Sequence, residues 1–512
     1  MTLGKAFLAM AAATCACTMG AEGEEGADES MGELGQLDQL CRQGPVRLQA
    51  GSLLGVLATT ASRWVVYQDG LTIYATTLSP GAPRVLLAEA TVPNIETMVD
   101  GDTVMLWPDQ TAFTPSVPGR LVVWRPGSAP RQLATRTVVP TSTAFPAGVA
   151  ASPDGRQVLF LDNLDEAGTR ADVVYSGVTG ARTVIARQVD ADYANPVCPP
   201  YLGFRAQHAG DARAQPLAAY CQDGVTGATL ATVDGAAPRV LAAGLRSAAT
   251  VQARAGLVTA LTSNLEPISI SRSGQLTTLD ADSSRLLFPA DNGEVLSYAV
   301  DASGASQLKR LDPRRPGWQR TVGQLSLVGF APSHLPIGGH PYYTDNILAY
   351  RDRGMMAWTN SSTGALEMQL VDPRGEQASV TLGSGLTCGP SYEPFTRDGH
   401  HALLYCLDAT AGYFSLTTAS YGEAPHVVSS GATAFQHFGL GGGRILYADN
   451  VAATATGAAF DLKVVDLRQP TAQTTLVAGA ATNFVITPDA RYVVYSREDD
   501  AEHAGLYVER VR

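Results

Sequence analysis

Ser152–Pro153–Asp154–Gly155–Arg156–Gln157–Val158–Leu159–Phe160 is a turn followed by a run of β-favouring residues. Proline pre-sets the first turn dihedral, aspartate bonds its own backbone and glycine supplies a positive φ. The short, continuous apolar run behind them suits a strand buried on both faces between stacked sheets. The unit recurs along the chain. Thr487–Pro488–Asp489–Ala490–Arg491–Tyr492–Val493–Val494–Tyr495 repeats it near the C-terminus, and Thr396–Arg397–Asp398–Gly399–His400–His401–Ala402–Leu403–Leu404 lies between them. Asp100–Gly101–Asp102–Thr103–Val104–Met105–Leu106 comes earlier. Ser62–Arg63–Trp64–Val65–Val66–Tyr67 and Gly443–Arg444–Ile445–Leu446–Tyr447 keep the strand but lack the turn.

A second element closes each unit. Ala82–Pro83–Arg84–Val85–Leu86, Ala129–Pro130–Arg131–Gln132–Leu133 and Ala237–Pro238–Arg239–Val240–Leu241 are near copies, with Ala424–Pro425–His426–Val427–Val428 a weaker one. Proline at a strand start suits an outer, edge-like strand that needs no ladder donor there. Pro83 and Pro130 lie 47 residues apart, the length of a four-stranded blade. With no helix-length amphipathic segment between strands, the expectation is all-β: a β-propeller of four-stranded antiparallel blades. About ten units are counted, which fits a ring of 7–10 blades or two smaller rings. Pro45–Val46–Arg47–Leu48 is expected to supply the outer strand missing after Tyr507–Val508–Glu509–Arg510, removing an exposed edge.

Ser152–Pro153–Asp154–Gly155 with its strand, followed by a polar loop and a strand such as Leu462–Lys463–Val464–Val465–Asp466–Leu467, resembles the TolB-type, WD-like propeller repeat. The resemblance runs over roughly residues 50–512 and is degenerate over 245–345. It implies the propeller fold. It names no activity, because such propellers serve many roles and the motif residues shape turns.

The N-terminus reads as an export signal. Lys5 precedes the apolar stretch Ala6–Ala13, and Thr14–Cys15–Ala16–Cys17 follows. A cysteine closing such a segment resembles the lipobox of bacterial lipoproteins, and Cys17 behind Ala16 fits it better than Cys15 behind Thr14. The expected layout is a signal over 1–17, an acidic flexible linker over 18–43 and a propeller body over 44–512. Seven acids and no base fall between Glu22 and Asp38, so that linker has little to bury. The expected location is outside the cytoplasm: periplasmic, or a lipoprotein of the outer membrane or cell surface.

An oxidising compartment gives the cysteines a role. Val197–Cys198–Pro199–Pro200 leads to Ala219–Tyr220–Cys221, and Thr387–Cys388–Gly389–Pro390 leads to Leu404–Tyr405–Cys406. The matched pattern predicts disulfides Cys198–Cys221 and Cys388–Cys406, each tying a blade's entry to its own second strand. Cys41 stands alone before the body.

The net charge of −12 and the lack of any Lys/Arg block with aromatics exclude a phosphate-tracking surface, so no nucleic-acid partner is expected. No nucleophile elbow, Walker sequence, dinucleotide fingerprint or His-Glu-x-x-His occurs, and no catalytic set, cofactor or metal is assigned. The acidic turns Asp162–Glu166 and Glu498–Glu502 match no EF-hand loop and read as solvated hairpins, and His400–His401 reads as solvent-facing.

The loop Ala331–Tyr343 breaks the repeat and carries His334, His340, Tyr342 and Tyr343, with Asp345 just beyond. These five are the candidate ligand-binding residues; the competing reading is an insertion packed by its own prolines and tyrosines. The expected function is a non-catalytic, monomeric binding or scaffold module of the cell envelope. It would present a protein or glycan partner with loops on the propeller face and touch a membrane only through a lipid anchor. The competing reading is a glycan-active lyase or hydrolase with its site at the propeller channel.

Overall fold

The structure is a computed structural model. It describes residues 30–511 except 52–53, 94, 111–117, 138–148, 178–181, 192–197, 199, 208–210, 235–236, 281, 290–291, 301–305, 316, 325–346, 352–353, 361–365, 385–387, 397–398, 409–412, 433–436, 454–457 and 499–501. Among these residues the fold is an all-β propeller of four-stranded antiparallel meanders, arranged as eight four-stranded sheets and one seven-stranded sheet. In the seven-stranded sheet the long strand Gln473–Ile486 is the outer strand of one meander and the inner strand of the next.

The runs that opened the sequence reading are all second strands. Thr103–Trp107 and Gln157–Asp162 are almost wholly buried, as is Tyr492–Arg497. The Ala-Pro-Arg segments lead into or begin fourth strands: Val85–Glu89, Arg131–Thr137 and Ala237–Leu245. Leu86 and Val240 on these strands stay exposed, as befits sheet edges.

One side chain fixes the turn between first and second strands. Thr487 Oγ1 accepts from the amide of Tyr492 at 3.1 Å, and Asp489 Oδ1 accepts from Arg491 N at 3.2 Å. Ser152 and Thr396 hold the amides of Gln157 and His401 in the same way, at 3.0 and 3.1 Å. Gly155 sits at φ 63° with Thr103 Oγ1 so close that a Cβ would meet it at 2.3 Å. The Ser62–Arg63 copy has this turn after all. Thr60 Oγ1 accepts from Trp64 N at 3.1 Å, and Arg63 takes the positive φ of 63° itself. Its guanidinium is held by Asp489 at 2.6 Å, which offsets the cost of a left-handed non-glycine residue.

The described residues form two compact units. The first takes those of Met1–Val139, Asp154–Arg156 and Gly431–Arg512. Its blades stack through apolar side chains. Leu57, Val66 and Ile73 of the 54–89 blade pack with Val99, Val104 and Trp124 of the 96–137 blade. Phe438, Phe460 and Phe484 form a cluster with edge-on ring contacts at 5.3 and 5.8 Å. The strand Val46–Ala50 pairs antiparallel with Gly505–Arg510 and completes the last blade, as expected from Pro45–Leu48.

The segment expected as a flexible linker differs in its described part. Ser30–Cys41 form a helix, α1, that buries Leu37 and Cys41 among Leu48, Val494 and Val508. Asp38, one of the seven acids, accepts from the Tyr492 hydroxyl at 2.6 Å and lies 3.6 Å from Arg510. Its carboxylate is therefore a docking group rather than solvated spacer.

The second unit takes Pro140–Pro153 and Gln157–Ser430. Here Leu217, Leu230 and Leu241 of the 201–245 blade pack with Val258, Ala260 and Ile268 of the 252–278 blade. Leu261 and Leu279 then meet Leu287 and Leu311 of the 283–324 blade. The Asp162–Glu166 turn is not simply solvated, because Asp162 is buried and paired with Arg182, while Asp165 accepts from Thr169 and Arg170. His401 is likewise buried, with His400 exposed beside it.

Candidate functional site

An antiparallel meander sends the connections between strands one and two, and between three and four, to the same edge. In the second unit three consecutive blades bring such connections together. The 201–245 blade contributes Arg205 at the end of its inner strand Tyr201–Arg205, then Gln207 and Asp211. The 252–278 blade contributes the turn Ser271–Arg272 and Gly256, which with Ala255 forms a two-residue hairpin at positive φ (77° and 47°). The 283–324 blade contributes Pro313. Together with Leu257, Ser269, Ile270 and Thr277 they line a cleft of about 330 Å³.

Arg205 is the unusual member. It is only 4% exposed, and its guanidinium donates to Gln215 Oε1 at 3.1 Å and to the Ile270 carbonyl. Among the described residues its Nε has no hydrogen-bond partner and its guanidinium bonds to no carboxylate. A buried cation without a counter-ion is costly. Burial lowers its pKa to about 10, and the Arg272 charge pushes the same way, yet it stays protonated at neutral pH.

The rim is fastened in place. Arg272 donates to the Arg213 carbonyl, and its own carbonyl accepts from Gln215 Nε2 at 3.3 Å and Arg239 Nη2 at 3.1 Å. Ser271 Oγ caps Gln275 N at 2.8 Å. Asp211 shapes its own loop, accepting from Gln207 N at 3.0 Å and Arg213 N at 2.9 Å. The cleft thus offers two guanidinium groups, one carboxylate, an amide and several hydroxyls as a hydrogen-bonding set.

His334, His340, Tyr342, Tyr343 and Asp345 lie outside the described residues, as does Cys17. Cys198 and Cys221 are joined by a disulfide with Cα atoms 6.0 Å apart, tying the entry of the 201–245 blade to the end of its second strand. The Cys388 side chain lies outside the described residues; its backbone pairs directly with Cys406, which is disulfide-bonded. Cys41 is a free thiol whose pKa burial pushes up to about 11. Among the described residues no group of three or more His, Cys, Asp and Glu is placed to hold a metal ion, and no helix is long and apolar enough to cross a membrane.

Sequence reading missed Arg205 and Arg272. They stand far apart in the chain, one at the end of a blade's inner strand and one in a turn of the next blade, and neither belongs to a motif. It also missed a second turn device, Asp-x-Arg, in which Asp312, Asp372 and Asp466 accept from the amides of Arg314, Arg374 and Arg468 at 2.8–3.0 Å.

Fold and cleft together describe a β-propeller protein with an arginine-lined cleft at a blade-loop edge. No family model matches the chain, and no curated protein does. Among solved structures it is similar to a crystal structure of the eukaryotic initiation factor, at 12% identity and a TM-score of 0.42, covering 75% of this chain and 89% of that one. It is also similar to an oligogalacturonate lyase in complex with manganese, at 10% identity and a TM-score of 0.32, covering 72% and 98%.

Proposed function

We propose that this chain is a non-catalytic binding module of the cell envelope, a TolB-like propeller exported by its N-terminal signal and held by a lipid on Cys17. Its partner engages the loop edge of the blades. The observation that carries this reading is the Arg205 cleft, a preformed recess whose buried cation bonds to no carboxylate among the described residues and whose rim is fastened by hydrogen bonds. Preformed sites with a few convergent polar groups are where ligands bind. Helix α1 adds to the reading. By docking Asp38 on Tyr492 it hands the chain from the acidic tether to the body at one fixed point.

Fractionation of the native host, with intact-mass analysis, tests the envelope part. A lipid-modified chain starting at Cys17 in the envelope fraction supports it, and an unprocessed chain starting at Met1 in the cytosol contradicts it. Affinity capture from that envelope, with wild type and Arg272→Gln in parallel, tests the binding part. A partner retained by wild type and depleted by the variant is expected.

A further inference from the structure

The Arg205 cleft limits what its occupant can be. Arg205 and Arg272 are both cationic, and neither is neutralised by a carboxylate among the described residues. Gln215 couples them, with its Oε1 bound to the Arg205 guanidinium and its Nε2 bound to the Arg272 carbonyl. A guanidinium fork matches a planar oxyanion, and a carboxylate that reached this recess would supply the missing counter-charge.

The rest of the lining argues against a phosphate. Among the described residues, the nearby loop amides of Gln207 and Arg213 are already taken by Asp211 and are not free to cradle an anion. Asp211 would also repel a dianion. Beside one carboxylate of a ligand, however, it is a good acceptor for hydroxyls, and Ser269, Ser271 and Thr277 carry hydroxyl groups of their own. A ligand with a single negative charge and many hydroxyls satisfies both halves of the lining.

We infer that the cleft binds an acidic saccharide, with a sugar carboxylate held between Arg205 and Arg272 and sugar hydroxyls on Asp211, Ser269 and Ser271. The inference rests on the binding-module reading and names the ligand class of that same site.

Calorimetry on the full chain tests it, with a disaccharide of one glucuronate and one N-acetylglucosamine as probe. Its carboxyl-reduced counterpart and inorganic sulfate are titrated beside it. The acidic saccharide is expected to bind about tenfold or more tightly than the reduced one, and to weaken about tenfold in Arg272→Gln, as loss of a charge-assisted contact requires. Arg205→Gln should abolish binding; because Arg205 is buried, its thermal unfolding is recorded too, and Arg272 on the rim keeps the test decisive if Arg205→Gln does not fold. Equal binding of the reduced saccharide, no effect of Arg272→Gln, or no binding of the acidic saccharide overturns the inference. Sulfate binding as tightly as the saccharide also overturns it, leaving an adventitious ion only. The same mixtures are analysed by mass spectrometry. Cleaved saccharide would sink the non-catalytic reading while leaving the ligand class standing.

Discussion

Val46 stands directly opposite Val508 in an antiparallel register, so the strand that opens the propeller body is the outer strand of the blade that ends it. The pairing is close. Arg47 donates to the carbonyls of Glu502 and Ala504, and a Cβ on Gly505 would lie 2.5 Å from the Gln49 carbonyl. Gly505→Ala should therefore push the two strands apart and cost about 1–3 kcal/mol, with faster amide exchange confined to 46–50 and 505–510. An unchanged denaturation midpoint would show that the closure contributes little.

The turn hydroxyls give a second expectation. Thr487 Oγ1 is the acceptor for the buried amide of Tyr492. Thr487→Val keeps the shape and removes the acceptor, so unfolding should become easier by about 1–2 kcal/mol, while Thr487→Ser stays within about 0.5 kcal/mol. Equal losses in both variants would point to methyl packing instead.

Much of this was legible because it is local. Ser152–Pro153–Asp154–Gly155 announces a turn from its own dihedral and hydrogen-bonding preferences, and a strand buried on both faces shows as a continuous apolar run. The Cys198–Cys221 bridge was legible from a repeated spacing. Helix α1 was not, because its residues are largely acidic, small or polar and what stabilises it is tertiary: Leu37 and Cys41 in another element's core, and Asp38 on Tyr492. The 252–278 blade was obscured because its first and last strands are only three residues long and its hairpin uses Ala255 in a left-handed conformation. Arg205 and Arg272 read as ordinary charges until blade stacking places them on one cleft.

Glu96 sets a pH dependence. It lies on the inner strand Glu96–Asp100, 8% exposed, and burial alone holds its carboxyl up at about 8. The folded state therefore keeps a proton that the unfolded chain releases near 4.5. The stability this confers is full below that value and is lost as pH rises toward 8, by on the order of 1.4 kcal/mol per pH unit within the window. Asp100, raised to about 6 by burial, adds a loss of the same sign at lower pH. Glu96→Gln should match wild type near pH 4 and exceed it at pH 8 in denaturant titrations; parallel curves across that range would refute the assignment.

Cysteine chemistry is checked by mapping peptides without reduction. Cys198–Cys221 should be recovered, together with Cys388–Cys406. Replacing Cys198 and Cys221 by alanine should cost roughly 3 kcal/mol for a loop of this size. The loss also includes the Ala248 amide, which donates to Cys198 Sγ at 3.4 Å. Recovery of a Cys198–Cys388 peptide would break the blade assignment.

A partner is expected at the loop edge carrying Arg205 and Arg272. Site-specific photo-cross-linking in the native envelope tests it most directly. One photoreactive residue replaces Ala212, exposed beside Asp211 at the cleft edge, and a second replaces Val225, exposed at the opposite edge of the same blade. A light-dependent adduct is expected from position 212, lost with Arg272→Gln, and none from position 225. An adduct from position 225 alone, or from neither position, would contradict it.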